Sequence, residues 1–103
     1  MEYTLDIYAR QPELLMAMMA KNCKDRRLER GYSRRTLAER TGVPAPTIER
    51  FEKTGKISLE SFCSIAVEFD YFQEMSELLS KPKYTTGSEL EIINRNKTRI
   101  KGR

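Results

Sequence analysis

Gly42 constrains the fold more than any other residue, because it separates two short segments that both have helical patterning. Before it, Ser33 can cap a helix that runs to about Thr41, since its hydroxyl can accept a hydrogen bond from a free backbone N–H, which is worth about 1 kcal/mol. Glycine readily adopts the positive φ that ends a helix and turns the chain sharply. A second helix then begins near residue 45, so the sequence predicts two helices joined by a tight turn between residues 33 and 52.

The second of these helices has two prolines close to its start. Pro44 and Pro46 fit there, because the backbone N–H groups of a first helical turn have no partner within the helix. Ala38 is small enough for another helix to cross closely at a steep angle, and other apolar residues can pack between the helices: Leu37, Val43, Ile48 and Phe51. This arrangement is a helix-turn-helix. Its polar side chains are expected to face outward: Thr47, Glu49, Arg50 and Lys53.

Three short motifs occur in order around this pair of helices. They are Arg26-Arg27-Leu28 leading to Gly31-Tyr32-Ser33, then Leu37-Ala38-Glu39-Arg40-Thr41-Gly42-Val43, and then Thr47-Ile48-Glu49-Arg50-Phe51-Glu52. Together they resemble the lambda-repressor-like, Xre-type family of helix-turn-helix DNA-binding proteins. The resemblance implies an all-α fold, a five-helix lambda-repressor-like DNA-binding domain, and a function as a sequence-specific transcriptional regulator.

A longer segment resembles one branch of that family. Residues 50–61 are similar to the HipB-like regulators found beside HipA-type kinase toxins. This resemblance implies an autorepressor that is also the antitoxin component of a toxin–antitoxin operon, with a HipA-type kinase as its partner. In the family, the arginine at the place of Arg27 pairs with the glutamate that here is Glu52, which would tie the first helix to the third.

The motif also assigns candidate DNA contacts. The third helix is expected to lie in the major groove, and the second helix to cross the phosphate backbone. Candidate phosphate contacts are Arg34, Arg35, Thr47 and Lys53, and Ser33 is a further candidate DNA-binding residue. Thr47 can also reach base edges, as can Glu49 and Arg50, whereas Ala45 and Pro46 can add only apolar contact, for instance with thymine methyls.

The start of the third helix departs from the family pattern. The family usually has a glutamine where this chain has Arg34, and polar residues where it has Pro44, Ala45 and Pro46. Few side chains therefore remain to read bases, and we expect modest direct readout supplemented by dimer spacing and DNA shape. The same departure supports an alternative function, a protein-binding adaptor whose helix-turn-helix no longer reads DNA specifically.

Three regions are predicted along the chain. Residues 1–11 are an N-terminal arm or a short strand, because Tyr3, Leu5 and Ile7 alternate with polar residues. Residues 12–80 are the DNA-binding domain, whose first helix has a stripe of Leu14, Leu15, Met18, Met19 and Cys23, and whose fifth helix has Tyr71, Phe72, Met75, Leu78 and Leu79 on one side. Residues 81–103 are a flexible basic tail, in which 89–93 could be a helical turn or a strand and 94–103 should be disordered without a partner.

Charge is strongly segregated along the chain. The net charge is +4, but residues 21–56 carry 11 basic and 5 acidic side chains, whereas residues 57–80 carry 5 acidic and no basic ones. The tail at 81–103 carries 7 basic and 2 acidic side chains. A basic motif beside an acidic remainder is typical of a surface that binds a polyanion. The tail itself could bind phosphates, dock on an acidic partner, or simply be solvated.

Two copies of such a domain usually bind together, because a two-fold protein matches a palindromic operator. Candidate surfaces for a homodimer are the fifth helix, residues 3–7 and residues 89–93, and of these we favour the fifth helix.

Several classes of function are not expected. The chain has no histidine to activate its serines or cysteines, so an enzyme is not predicted. Cys23 and Cys63 are far apart and are expected to be ordinary buried thiols, so neither a metal site nor a cofactor is predicted. No apolar run approaches the roughly 20 residues of a membrane span and no signal peptide is recognisable, which together predict a cytoplasmic protein.

Overall fold

The computed structural model describes residues 11–83 and 86–101, the residues from 98 on by their backbone alone. Within these ranges the helices are α1 at Pro12–Glu29, α2 at Arg34–Thr41, α3 at Ala45–Thr54, α4 at Leu59–Glu68, α5 at Phe72–Ser76 and α6 at Gly87–Lys101. The described residues form no strand, and the predicted all-α class is confirmed. The expected arm or strand at residues 1–11 lies outside the described residues except for Gln11.

Local signals set the ends of the helices, and at both ends of α2 they are the signals that the sequence predicted. The Ser33 hydroxyl accepts a hydrogen bond of 3.0 Å from the backbone N–H of Thr36, at the start of α2. The Ser58 hydroxyl accepts one of 3.1 Å from Ser61, at the start of α4. Gly42 ends α2 with a φ of 79°. Each of these signals acts within a few residues of chain, so no tertiary information is needed to place them.

The core lies between the first four helices. Its buried side chains are Ala20, Leu37, Val43, Ile48, Phe51, Ile65 and Phe69. Phe62 packs beside this cluster, with its ring edge-on to that of Phe51 and the ring centroids 5.9 Å apart. Several core residues come from α2, α3 and the turn that joins them. The core therefore fixes the angle between these two helices.

The predicted stripe on α1 is partly wrong. Leu15 is 57% exposed and Met18 is 36% exposed, whereas Ala20 is only 1% exposed. The reason is the close approach of the end of α3, where Gly55 lies against the backbone of Met16. Ala20 is one turn further along the same face of α1, and only a small side chain fits so close to a crossing helix.

We expect Gly55→Ala to destabilise the domain more than Gly42→Ala. Both glycines have a positive φ, 77° and 79°, where a residue with a Cβ costs about 1–2 kcal/mol. A Cβ at position 42 would meet nothing within 4 Å, whereas at position 55 it would lie 3.1 Å from the carbonyl carbon of Met16. Chemical denaturation of the two variants measures the difference. Equal decreases in the free energy of unfolding would mean that α1 can shift away from residue 55 without further destabilising the domain.

The predicted fifth helix is longer than the one observed. α5 ends at Ser76, so Leu78 and Leu79 follow the helix instead of lying on one side of it. The exposed fraction is 60% for Leu78, 99% for Leu79 and 67% for Phe72. Leu79 also has a φ of 62°, which is unusual for a residue other than glycine. This end of the domain therefore presents apolar side chains outside the core.

The predicted disorder of the tail from residue 94 is also wrong, because α6 runs from Gly87 to Lys101. The described part of the chain thus has a sixth helix, and residues 89–93 are helical rather than a strand. The Thr86 hydroxyl accepts a hydrogen bond of 3.1 Å from the backbone N–H of Glu89 and so caps the helix. Acidic residues near its start and basic residues near its end complement the helix dipole.

Candidate nucleic-acid interface

The turn between α2 and α3 is held by hydrogen bonds as well as by the core. The Thr41 hydroxyl donates to the carbonyl oxygen of Leu37 at 2.7 Å and accepts from the backbone N–H of Val43 at 3.1 Å. Val43 is 4% exposed and Ile48 is 1% exposed. With these residues turned inward, the opposite side of α3 faces outward and is free to meet a partner.

The outward side of α3 carries one cation that is not neutralised. Arg50 is exposed, and its guanidinium forms no hydrogen bond or ion pair with any residue that the structure describes. Lys53 donates to Glu49 at 2.8 Å, in an ion pair whose side chains are 66% and 46% exposed. Such exposed pairs contribute little, about 0–1 kcal/mol, so a phosphate could replace Glu49 as the partner of Lys53. Thr47 lies beside them and is partly buried.

The first turn of α3 is apolar on its surface. Pro44 and Pro46 are exposed, and Ala45 between them is partly buried. Pro44 occupies the cap position without a side-chain hydrogen bond to the helix. No side chain at this opening can donate to or accept from a base edge, which leaves Thr47, Glu49 and Arg50 as the polar side chains of the recognition surface.

Three helices meet at Glu52, whose side chain is 3% exposed. The Arg27 guanidinium, on α1, donates to it through Nε at 2.7 Å and through Nη2 at 3.0 Å. Arg34, at the start of α2, donates to the same carboxylate through Nε at 2.9 Å. Arg27 also donates to the backbone carbonyl oxygen of Tyr32 at 2.9 Å. One carboxylate is thus shared by two guanidinium groups, and the cluster carries a net positive charge.

The charges around Glu52 decide its protonation. Burial alone would raise the pKa of Glu52, but hydrogen bonds and the charges of Arg27 and Arg34 outweigh burial and lower the pKa below its ordinary value. Glu52 is therefore ionised at neutral pH, as its role between two cations requires.

Arg34 was expected to contact a phosphate, but part of its side chain is bound inside the domain. Its side chain is 36% exposed, with the Nε edge bound to Glu52. The Nη atoms form no hydrogen bond with the described residues and remain available to a phosphate. The pattern of the sequence gave no sign of this second role, because Glu52 lies 18 residues away. Ser33 is occupied in capping α2, and Arg35 is an exposed side chain paired with Glu39 at 3.3 Å.

Much of the positive charge of residues 21–56 is neutralised within the domain. Arg40 forms an ion pair with Glu68 and stacks on the ring of Tyr32, 5.1 Å from its centroid. Arg30 pairs with Asp70 at 3.0 Å. Additional exposed pairs occur within α1, namely Lys21 with Asp25 and Arg26 with Glu29. Among residues 21–56, the cations with no ion pair to a described residue are Lys24 on α1, Arg50 on α3 and Lys56 just after α3, while all three arginines of α2 are paired.

The thiols contribute no reactive group to this surface. Burial, with a smaller effect of the Glu52 charge, raises the pKa of Cys23 to about 11, so the thiol is protonated at neutral pH. Cys23 and Cys63 are both partly exposed free cysteines rather than fully buried ones. Among the described residues no cluster of acidic or cysteine side chains could hold a metal ion. None of the described helices has the length and apolar character needed to cross a membrane.

In the comparison with known proteins, one family model matches part of the chain. Residues 24–71, from the second half of α1 to the residue before α5, match a family model described as helix-turn-helix. Neither a curated protein nor a solved structure matches the chain. The match and the all-α architecture together confirm the predicted lambda-repressor-like fold. Domains of this kind bind DNA and are not typically enzymes.

Proposed function

We infer from the Xre-type helix-turn-helix domain at residues 24–71 that this protein is a DNA-binding transcriptional regulator, with α3 as the helix that enters the major groove. The observation that carries this proposal is the position of Arg50, an exposed cation without an intramolecular partner in the described structure, on the outward side of α3. Glu49 and Thr47 lie beside it as further candidates for base contacts.

Phosphate contacts would hold the domain in register on DNA. We assign them to Arg34 through its free Nη atoms and to Lys53, with Ser33, Arg35 and Thr47 at the edges of the surface. Ala45 and Pro46 would add apolar contacts only. Because few polar groups reach the bases, the spacing of two half-sites and the shape of the DNA should supply part of the specificity.

The apolar end of the domain supports a homodimer. Phe72, Leu78 and Leu79 are exposed there, and the flanking charges are acidic before the two leucines, at Glu74 and Glu77, and basic after them, at Lys81 and Lys83. A two-fold axis near the leucines would place the acidic side of one copy against the basic side of the other. We therefore propose that residues 71–83 form the dimer surface.

We propose further that the protein is a cytoplasmic autorepressor and the antitoxin partner of a HipA-type kinase. The support is the resemblance of residues 50–61 to the HipB-like branch of the family. Isolation of the protein from its native host should recover such a kinase with it. Recovery of the protein alone, under conditions that preserve weak complexes, would contradict the antitoxin role and leave DNA binding unaffected.

One observation favours a second function, a protein-binding adaptor that does not read DNA. It is the apolar opening of α3 formed by Pro44, Ala45 and Pro46. An adaptor would bind all DNA weakly or not at all.

Titration against DNA separates the two functions. A repressor should bind DNA from upstream of its own gene far more tightly than unrelated DNA, as two chains per operator. Affinity for both should fall with salt, with a log–log slope of roughly 0.9 for each phosphate neutralised. Equal, weak binding to both DNAs at two salt concentrations would favour the adaptor.

A further inference from the structure

The guanidinium of Arg34 is held at one edge by a carboxylate of its own chain. Its Nε donates to Oε1 of Glu52 at 2.9 Å. The side chain of Arg34 is 36% exposed, whereas that of Arg35, the next residue of α2, is 88% exposed. A long side chain loses rotamer freedom when it is ordered. For Arg34 part of that entropy is lost on folding, so less remains to be lost when a ligand binds.

Glu52 is itself a fixed acceptor. Its side chain is 3% exposed, and Arg27 binds both of its carboxylate oxygens, at 2.7 Å and 3.0 Å. The backbone carbonyl oxygen of Tyr32 in turn accepts a hydrogen bond of 2.9 Å from Arg27. Arg27 also balances the negative charge of Glu52, so an anion close to Arg34 would not meet an uncompensated carboxylate. Arg27 and Glu52 thus form a fixed base without net charge, on which Arg34 rests.

The charge of Arg34 lies near the outward residues of α3. The pKa of Glu49 is lowered by its hydrogen bond to Lys53 and by the charge of Lys53, and the charge of Arg34 lowers it further. Arg34 is therefore close enough to the outward side of α3 to act on Glu49. Its Nη atoms form no hydrogen bond with the described residues. They are the donors of Arg34 that remain for an anion at this surface.

We propose that Glu52 is a positioning residue for DNA binding, which holds Arg34 by Nε so that the Nη atoms meet a phosphate at the start of α2. The inference rests on the proposed DNA-binding function and adds that position 34 requires an arginine, not only a positive charge. The planar guanidinium can bind a carboxylate with one edge and a phosphate with another. A lysine has a single ammonium group on a flexible stem and lacks this fork.

Replacing Arg34 by lysine tests the requirement for a guanidinium. Arg34→Lys keeps the charge, yet we expect it to weaken binding to DNA from upstream of the gene nearly as much as Arg34→Ala, about tenfold by fluorescence anisotropy. Arg30→Lys is the matched control, because the side chain of Arg30 is 35% exposed and is paired with Asp70, outside the proposed interface. It should leave the affinity unchanged. Wild-type affinity of Arg34→Lys, or an equal loss in Arg30→Lys, would overturn the inference.

The sign of the effect of Glu52→Gln separates positioning from charge. This change removes a negative charge beside Arg34, so net charge alone predicts tighter binding to DNA. We expect the opposite, a loss of about fivefold per folded molecule, because the guanidinium is no longer held. In the Glu52→Gln background, Arg34→Ala should weaken binding only about twofold. Circular dichroism measures the folded fraction of each variant, and stoichiometric titration with DNA counts the active molecules, so a loss caused by unfolding alone is removed.

Tighter binding by Glu52→Gln, or a full tenfold effect of Arg34→Ala in that background, would contradict positioning. If Glu52→Gln does not fold, the comparison of Arg34→Lys with Arg34→Ala decides, since both leave the pair of Arg27 and Glu52 in place. Wild-type protein that binds no duplex DNA would overturn the proposed function and this inference with it. The other adverse results would overturn the inference alone, because the wild type would still bind DNA.

Discussion

Glu52→Gln is expected to lower the free energy of unfolding by about 3–5 kcal/mol, a large part of the roughly 5–15 kcal/mol that stabilises a domain of this size. Its carboxylate is 3% exposed, and the side chain of Arg27 beside it is 7% exposed. Removing the negative charge leaves Arg27 buried without a counter-charge and also releases Arg34. Urea denaturation followed by circular dichroism measures the loss.

Glu49→Gln is the matched control for Glu52→Gln. It lies on the same helix and also forms an ion pair, but its side chain is 46% exposed and that of Lys53 is 66% exposed. The loss should be under about 1 kcal/mol. Similar losses for the two variants would mean that the cluster at Glu52 contributes no more than a surface pair.

The pH dependence of stability provides a second readout for Glu52. The pKa of Glu52 is lower in the folded domain than its ordinary value of 4.5. Its full contribution to the free energy of unfolding is therefore present at pH values above 4.5. It is lost as the pH falls through the lowered pKa, because the unfolded state then binds the proton more tightly. The wild-type domain should therefore lose stability on the acid side more steeply than Glu52→Gln does.

Arg50→Ala is expected to weaken binding to the operator by about one to two powers of ten while changing binding to unrelated DNA much less. A bidentate contact with guanine discriminates by roughly 1–3 kcal/mol, and Arg50 is the cation on α3 best placed to form it. Electrophoretic mobility shifts on both DNAs, and a selection of binding sites, measure the change. An equal loss of affinity for both DNAs would indicate that Arg50 contacts a phosphate rather than a base.

Arg34→Ala and Lys21→Ala are the comparisons for Arg50→Ala. Arg34→Ala should weaken binding to all sequences. It should also lower the slope of log affinity against log salt concentration by roughly 0.9, the value for one phosphate contact. Lys21 has a 74% exposed side chain on α1, and its replacement removes the same charge from outside the proposed interface. If Lys21→Ala had the effect of Arg34→Ala, net charge alone would explain the binding.

The sequence was sufficient to predict the structure wherever a signal acts over only a few residues. Ser33 and Gly42 determine the ends of α2 through a hydrogen bond and a backbone conformation within their own turn, and their roles were predicted correctly. The inward residues of α2 and α3 followed from their spacing. The resemblance to a known family supplied the Arg27 and Glu52 pair, which spacing alone would not have indicated.

Tertiary packing decided what depends on residues far apart in the chain. Ala20 rather than Leu15 faces the core, because α3 approaches the backbone of α1 at Gly55. Arg34 shares Glu52 with Arg27 since three helices bring these charges together. The sequence thus determined the local backbone and the helix-turn-helix motif. Only the folded chain determined which charges are neutralised inside the domain and which remain for a partner, because an ion pair depends on distance in space.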